Sequence, residues 1–124
     1  MDSMAAVALA VFLVAVGCSH FAFPRYFRSL VPDWLGRRGG LLVGASGVVE
    51  VFVGALVLLP ASRVVGAWAA AGLFVVYLVP HLDALRSVHR GRPGVLWRPA
   101  GVVARLLVNV GYVGWAAAVA LTAA

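Results

Sequence analysis

Four apolar runs fill most of this chain: Met4–Phe23, Leu41–Leu59, Val64–Leu82 and Val102–Thr122. Each is close to the ~20 residues that a helix needs to cross a ~30 Å hydrocarbon layer. In a chain of 124 residues only short connections remain between them. The expectation is a single all-α transmembrane domain over residues 1–124, an integral membrane four-helix up-down bundle. Composition agrees, with 64% of residues hydrophobic and a mean hydropathy of +1.03, against ~45–50% apolar in a soluble domain.

The second run, LLVGASGVVEVFVGALVLLP, carries Glu50 in its middle. At ~1.5 Å rise per residue Glu50 lies ~13 Å into the run, near the bilayer midplane. A charge there costs on the order of 2.5–3.5 kcal/mol on insertion scales, and such residues usually face a bundle interior. Its helical neighbours Ser46, Gly47 and Gly54 are small, so another helix can approach that face closely.

Lysine is absent, and the ten basic residues are all arginine against four acids. The arginines flank apolar runs, as topology signals and contacts to anionic lipid do. No aromatic-basic soluble module is present, so nucleic acid is excluded as a partner. Loops one and three together hold Arg25, Arg28, Arg37, Arg38, Arg86, Arg90, Arg92 and Arg98, while the opposite side has Arg63. The positive-inside rule puts loops one and three in the cytoplasm and both termini outside. Cys18 is the one cysteine, so neither an internal disulfide nor a CxxC pair can form, and it reads as a packed small residue. AVGC loosely resembles a lipoprotein cleavage site, but Asp2 stands where a basic n-region is needed and no cleavage is expected.

Between the first two runs, PRYFRSLVPDWLGRRGG is too polar to span. Tyr26, Phe27, Leu30, Val31, Trp34 and Leu35 recur at near-helical spacing, which predicts a short amphipathic segment in the membrane interface, its regularity limited by Pro32. An interfacial anchor is the preferred reading and a lid the alternative.

Alternating spans bring the end of the first, the start of the second, the end of the third and the start of the fourth to one side. His20, Glu50, His81, Arg105 and Asn109 then share one half of the bundle. Arg105, Asn109 and Tyr112 form a stripe on the fourth span, as do Tyr77 and His81 on the third. Two readings stand. Glu50–Arg105 is a polar lock between helices, or the residues line a polar pocket. In the second reading Glu50, His20, Arg105 and Asn109 are the catalytic candidates, and His81, Tyr77, Tyr112, Phe27 and Trp34 contact a substrate. Asp83 is placed at the membrane surface, and Trp68, Trp97 and Trp115 in the aromatic belt. No HxxxH or HxxE spacing supports a metal or heme site, and there is no nucleotide loop, so no cofactor is expected.

The pattern Gly17-x-x-His20-Phe21-x-x-Pro24-x-x-Phe27, then Val31-Pro32-x-Trp34-Leu35, Ser46-Gly47-Val48-Val49-Glu50, Gly54, Leu58-Leu59-Pro60 and Trp68 resembles the DoxX-like family of small four-helix bacterial membrane proteins. The resemblance implies a bundle in the bacterial inner membrane. It also implies kinship with proteins linked to thiosulfate:quinone oxidoreduction and to membrane complexes that handle oxidative stress.

Two functions are expected from different classes. The first is a membrane subunit or binding module that takes a lipophilic, quinone-like ligand near Glu50. The second is a cofactor-free enzyme in which Glu50 is the general acid or base for isomerisation, epoxide opening or cyclisation of a terpenoid or polyketide. A transporter is disfavoured, because four helices would have to oligomerise. The expected partners are membrane lipids and a small lipophilic ligand or substrate, with a homo-oligomer or a membrane-complex partner as options.

Overall fold

The computed structural model describes residues 3–87 and 98–123. Its regular elements are helical: α1 Ser3–Ala22, α2 Pro24–Leu30, α3 Gly39–Leu58, α4 Arg63–Ser87 and α5 Pro99–Ala123. Helical 3-10 turns at Asp33–Arg38 and Pro60–Ser62 link α2 to α3 and α3 to α4. Helices α1, α3, α4 and α5 are each long and apolar enough to cross a membrane. Their outer faces carry large apolar side chains such as Val11, Phe52 and Leu107, exposed by 61%, 63% and 65%. Patches of that size in a soluble protein would drive association, whereas lipid solvates them.

The long helices close a ring of contacts, α1 on α3, α3 on α4, α4 on α5 and α5 on α1. Glycine makes the first pair intimate. A Cβ on Gly17 would lie 2.9 Å from the Gly47 carbonyl oxygen, and one on Gly54 would lie 3.1 Å from that of Ala10. Gly66 does the same for α4, where a Cβ would meet the Val57 nitrogen at 2.7 Å. Such close helix crossings are a usual solution in lipid, where burial of apolar surface gives no drive and van der Waals contact must serve. Leu9, Leu13, Val57, Phe74 and Val119 fill the dry half between them.

The connections follow local chemistry. Phe23 leaves the helical region (φ −128°, ψ 58°) and Pro24 starts α2, a position where proline's missing N–H costs nothing. Pro32 ends the helical path of α2, and Gly36 turns the chain with φ +59°, a value that glycine adopts freely. At the α3–α4 turn Ser62 Oγ donates to the Leu56 carbonyl at 2.8 Å. Arg63 donates to Val57 and Leu58 carbonyls at 2.9 and 3.0 Å. It caps the end of α3, where carbonyls lack helical partners.

Several expectations change. The interfacial segment is a seven-residue helix plus a separate 3-10 turn rather than one helix. α3 starts at Gly39, α4 runs on to Ser87 and α5 starts at Pro99. Apolar runs mark the hydrophobic stretches of the helices, but backbone hydrogen bonding continues beyond them. Cys18 is exposed on α1 rather than packed. Trp115 donates to the Ala5 carbonyl at 3.3 Å and so ties α5 to α1. Asp2, Arg90, Arg92 and Trp97 lie outside the described residues.

Gly47→Ala would place a Cβ 2.7 Å from the Phe21 ring and 3.0 Å from both the Gly17 carbonyl and the His20 Cβ. It should lower stability by about 1–3 kcal/mol, as overpacking does. Gly44→Ala, with nothing within 4 Å, should not. Melting of both variants in detergent measures the difference; equal melting would show that α1 and α3 do not need this approach.

Candidate functional site

The same approach of α1 to α3 sets His20 against Glu50. Glu50 is 1% exposed and His20 6%, and His20 Nδ1 lies 3.1 Å from Glu50 Oε2. Nδ1 is also 2.7 Å from the Val16 carbonyl oxygen. A carbonyl only accepts, so Nδ1 carries the proton and donates chiefly to Val16. The carboxyl oxygen beside it is in contact without a closed hydrogen bond. The other face of the imidazole is fixed from α2, whose Phe27 ring stacks on it with centroids 3.9 Å apart and planes at 16°.

Glu50 lines a cavity of about 510 Å³. Tyr26, Phe27 and Leu30 of α2, with Val31 and Leu35, close one end. Ser46, Glu50, His20, Tyr77, His81 and Asn109 contribute polar groups to its wall. Phe12, Phe74 and Tyr112 close the far end with rings whose centroids are 4.8, 5.4 and 6.4 Å apart. Asn109 Nδ2 donates to the Phe74 carbonyl at 2.8 Å and so joins α5 to α4 beneath the polar groups. The Tyr77 hydroxyl neighbours Ser46 and Glu50. Tyr77 Oη, Glu50 Oε2 and His81 Nδ1 are buried with no closed hydrogen bond. Buried polar atoms of that kind are uncommon and call for a reason.

The helices thus bring His20, Glu50, Tyr77, His81, Asn109, Tyr112 and Phe27 to one cavity. Two sequence candidates fall elsewhere. Trp34 is 63% exposed and donates from Nε1 to Asp83 Oδ1 at 3.3 Å, because the break at Pro32 and Gly36 turns it toward α4. Arg105 does not line the cavity and lies within electrostatic reach of His81 and Tyr26. The ion partner of Glu50 is His20, so the expected Glu50–Arg105 lock is not formed. Arg105 stands one turn closer to the Pro99 end of α5 than Asn109 does. Helix α1, drawn in by glycine, reaches the carboxyl first.

Phe12, Phe74 and Ser46 were not legible as site residues. The two phenylalanines look like ordinary core positions, and Ser46 reads as a small packing neighbour. The usable signal was their spacing: Phe74 stands three residues before Tyr77, and Ser46 four before Glu50. Among the described residues no three of His, Cys, Asp and Glu gather as a metal set.

The His20–Glu50 contact predicts coupling. In a double-mutant cycle, His20→Ala and Glu50→Gln should deviate from additivity by about 0.5–3 kcal/mol in melting stability. Arg105→Gln and Glu50→Gln should add within about 0.5 kcal/mol. The reverse pattern would restore the Arg105 lock.

No curated protein and no solved structure matches this chain. A family model does match, over residues 9–120, a stretch that contains every residue of the cavity. The chain belongs to the family described as Domain of unknown function (DUF8561).

Proposed function

We propose that this protein is an intramembrane binding protein for a small, largely apolar molecule that carries a carbonyl or hydroxyl oxygen, as a quinone does. The observation that carries the reading is the set of unsatisfied polar atoms, Glu50 Oε2, Tyr77 Oη and His81 Nδ1, on residues of one otherwise apolar cavity. Its volume of about 510 Å³ falls within the ~300–1,000 Å³ of small-molecule sites, which combine apolar walls with a few placed polar groups. A ligand carbonyl would accept from the Tyr77 hydroxyl, and a ligand hydroxyl would donate to Glu50.

In this reading the long helices form an antiparallel up-down bundle in a bacterial inner membrane, related to DoxX-like proteins. The arginine-rich loops one and three face the cytoplasm. Sidedness is testable in a Cys18→Ser background. Ser62→Cys should react with an impermeant thiol reagent added outside cells, and Arg37→Cys should not. Labelling of Arg37→Cys alone would invert the topology.

A second reading, proton transfer to or from the bound molecule, is favoured by the imidazole in contact with Glu50 at 3.1 Å. A carboxyl backed by an imidazole and beside a phenol is suited to general acid–base work. One experiment serves both readings. Protein extracted from its host membrane in mild detergent is denatured, and the released small molecules are identified by mass spectrometry. A lipophilic oxygen-bearing molecule should be retained by the wild type. Tyr77→Phe should retain roughly 2–10-fold less, the worth of about 0.5–1.5 kcal/mol for one hydrogen bond. If Glu50→Gln keeps the molecule in an isomeric form, the enzyme reading gains. Equal retention of bulk lipid by all variants would end the binding reading.

A further inference from the structure

The cavity has a side as well as two ends. Gly66 brings α4 to within van der Waals contact of Leu56 and Val57 of α3 beside the Leu59–Ser62 turn. Toward the α2 end the facing residues are Ser46 and Glu50 on α3 and Tyr77 on α4, and between them lies the cavity. The edge of that opening is apolar. Leu42 of α3 and Val76 and Pro80 of α4 all line the cavity, yet Val76 is 62% exposed. A residue that lines an interior space and is also exposed marks its mouth. Val76 stands within a stretch long and apolar enough to cross a membrane, where an exposed side chain would face lipid. Pro80 adds a polar element at this edge. It has no N–H, so the Val76 carbonyl loses the donor that an unbroken helix would supply.

From this geometry we infer that the cavity is loaded sideways from the bilayer, through a portal between α3 and α4 edged by Leu42, Val76 and Pro80. Its ligand is therefore a membrane-dissolved amphiphile and not a solute taken from water past α2. The inference rests on the binding reading above for its ligand, but not for its route. At the α2 end Tyr26 also lines the cavity and is 47% exposed, beside Phe27 stacked on His20, so a path past α2 is the competing route that the labelling rates below distinguish. The Val76 carbonyl, denied the Pro80 donor, would offer a hydroxyl-bearing ligand a first acceptor on its way to Glu50.

The route can be read without knowing the ligand. In the full-length Cys18→Ser protein in lipid nanodiscs, Ser46→Cys places a thiol inside the cavity. A bilayer-partitioned maleimide, such as N-pyrenylmaleimide, should label it at least tenfold faster than a charged, water-soluble maleimide, each rate normalised to its rate on an exposed lipid-facing or water-facing cysteine. Leu42→Trp should slow the partitioned reagent at least fivefold, and Leu42→Ala should speed it. Melting curves confirm that each variant is folded. Equal normalised rates, or no response to either change at Leu42, would overturn the portal in favour of entry past α2. Failure to label Ser46→Cys with any reagent would also overturn it. A labelled thiol in a protein that retains no specific ligand would leave the portal standing and remove the binding reading alone.

Discussion

The meeting of α1 and α3 at bare backbone governs the rest of the molecule. Gly17, Gly47 and Gly54 let the two helices touch with no side chain between them. That closeness is what delivers His20 to Glu50 at 3.1 Å. A buried carboxyl in the middle of a bilayer is tolerated where it faces the bundle interior and finds a polar neighbour. A Cβ at Gly17 would press on Val51, the Gly47 carbonyl and Glu50, and one at Gly47 on Phe21, the Gly17 carbonyl and His20, so either would push apart the helices that carry the imidazole and the carboxyl. The packing of one helix pair and the chemistry of the site are therefore the same structural fact.

A division of labour follows along the bundle. The half near the α3–α4 turn is dry and alanine-rich, with Ala67, Ala70, Ala116 and Ala120 fully buried. Arg63 and Ser62 satisfy the carbonyls at the end of α3 there. That half holds the helices together by close packing. The half near α2 keeps its polar groups and, besides the Gly17–Gly47 approach, is braced at three points. Phe27 stacks on His20, Trp34 bonds Asp83, and Asn109 bonds the Phe74 carbonyl. Each brace joins a different pair of elements, so an open space persists between helices that would otherwise collapse on it.

The sequence disclosed the spans and most of the polar wall, and it did so for one reason. The apolar runs are long and unambiguous, and reading them as alternating put certain polar residues in one half. That placed His20, Glu50, Tyr77, His81 and Asn109 together. Which polar residue touches which was not legible, because contact depends on interhelical distance. A sequence shows that Gly17 and Gly47 are small, but not that they face one another. The Arg105 expectation failed there. The aromatic end was hidden differently, since Phe12 and Phe74 look like any core residue until a ring from α5 packs on both. Trp34 was misplaced because Pro32 and Gly36 break the helical spacing on which its assignment relied.

The size of the cavity decides what kind of molecule belongs in it. The space of about 510 Å³ is partly open rather than a sealed void. In the proposed reading, a mouth edged by Leu42 and Val76 would put lipid acyl chains within reach. An acyl chain would restore the lost dispersion contacts. It would still leave Tyr77 Oη and His81 Nδ1 without a closed hydrogen bond and Glu50 Oε2 with the imidazole contact alone. A molecule with the same apolar body and one or two well-placed oxygens would supply some of those partners. Each hydrogen bond it forms would favour it over bulk lipid by about 0.5–1.5 kcal/mol. In the proposed reading, apolar volume would hold any chain-like occupant and the polar wall would select among them.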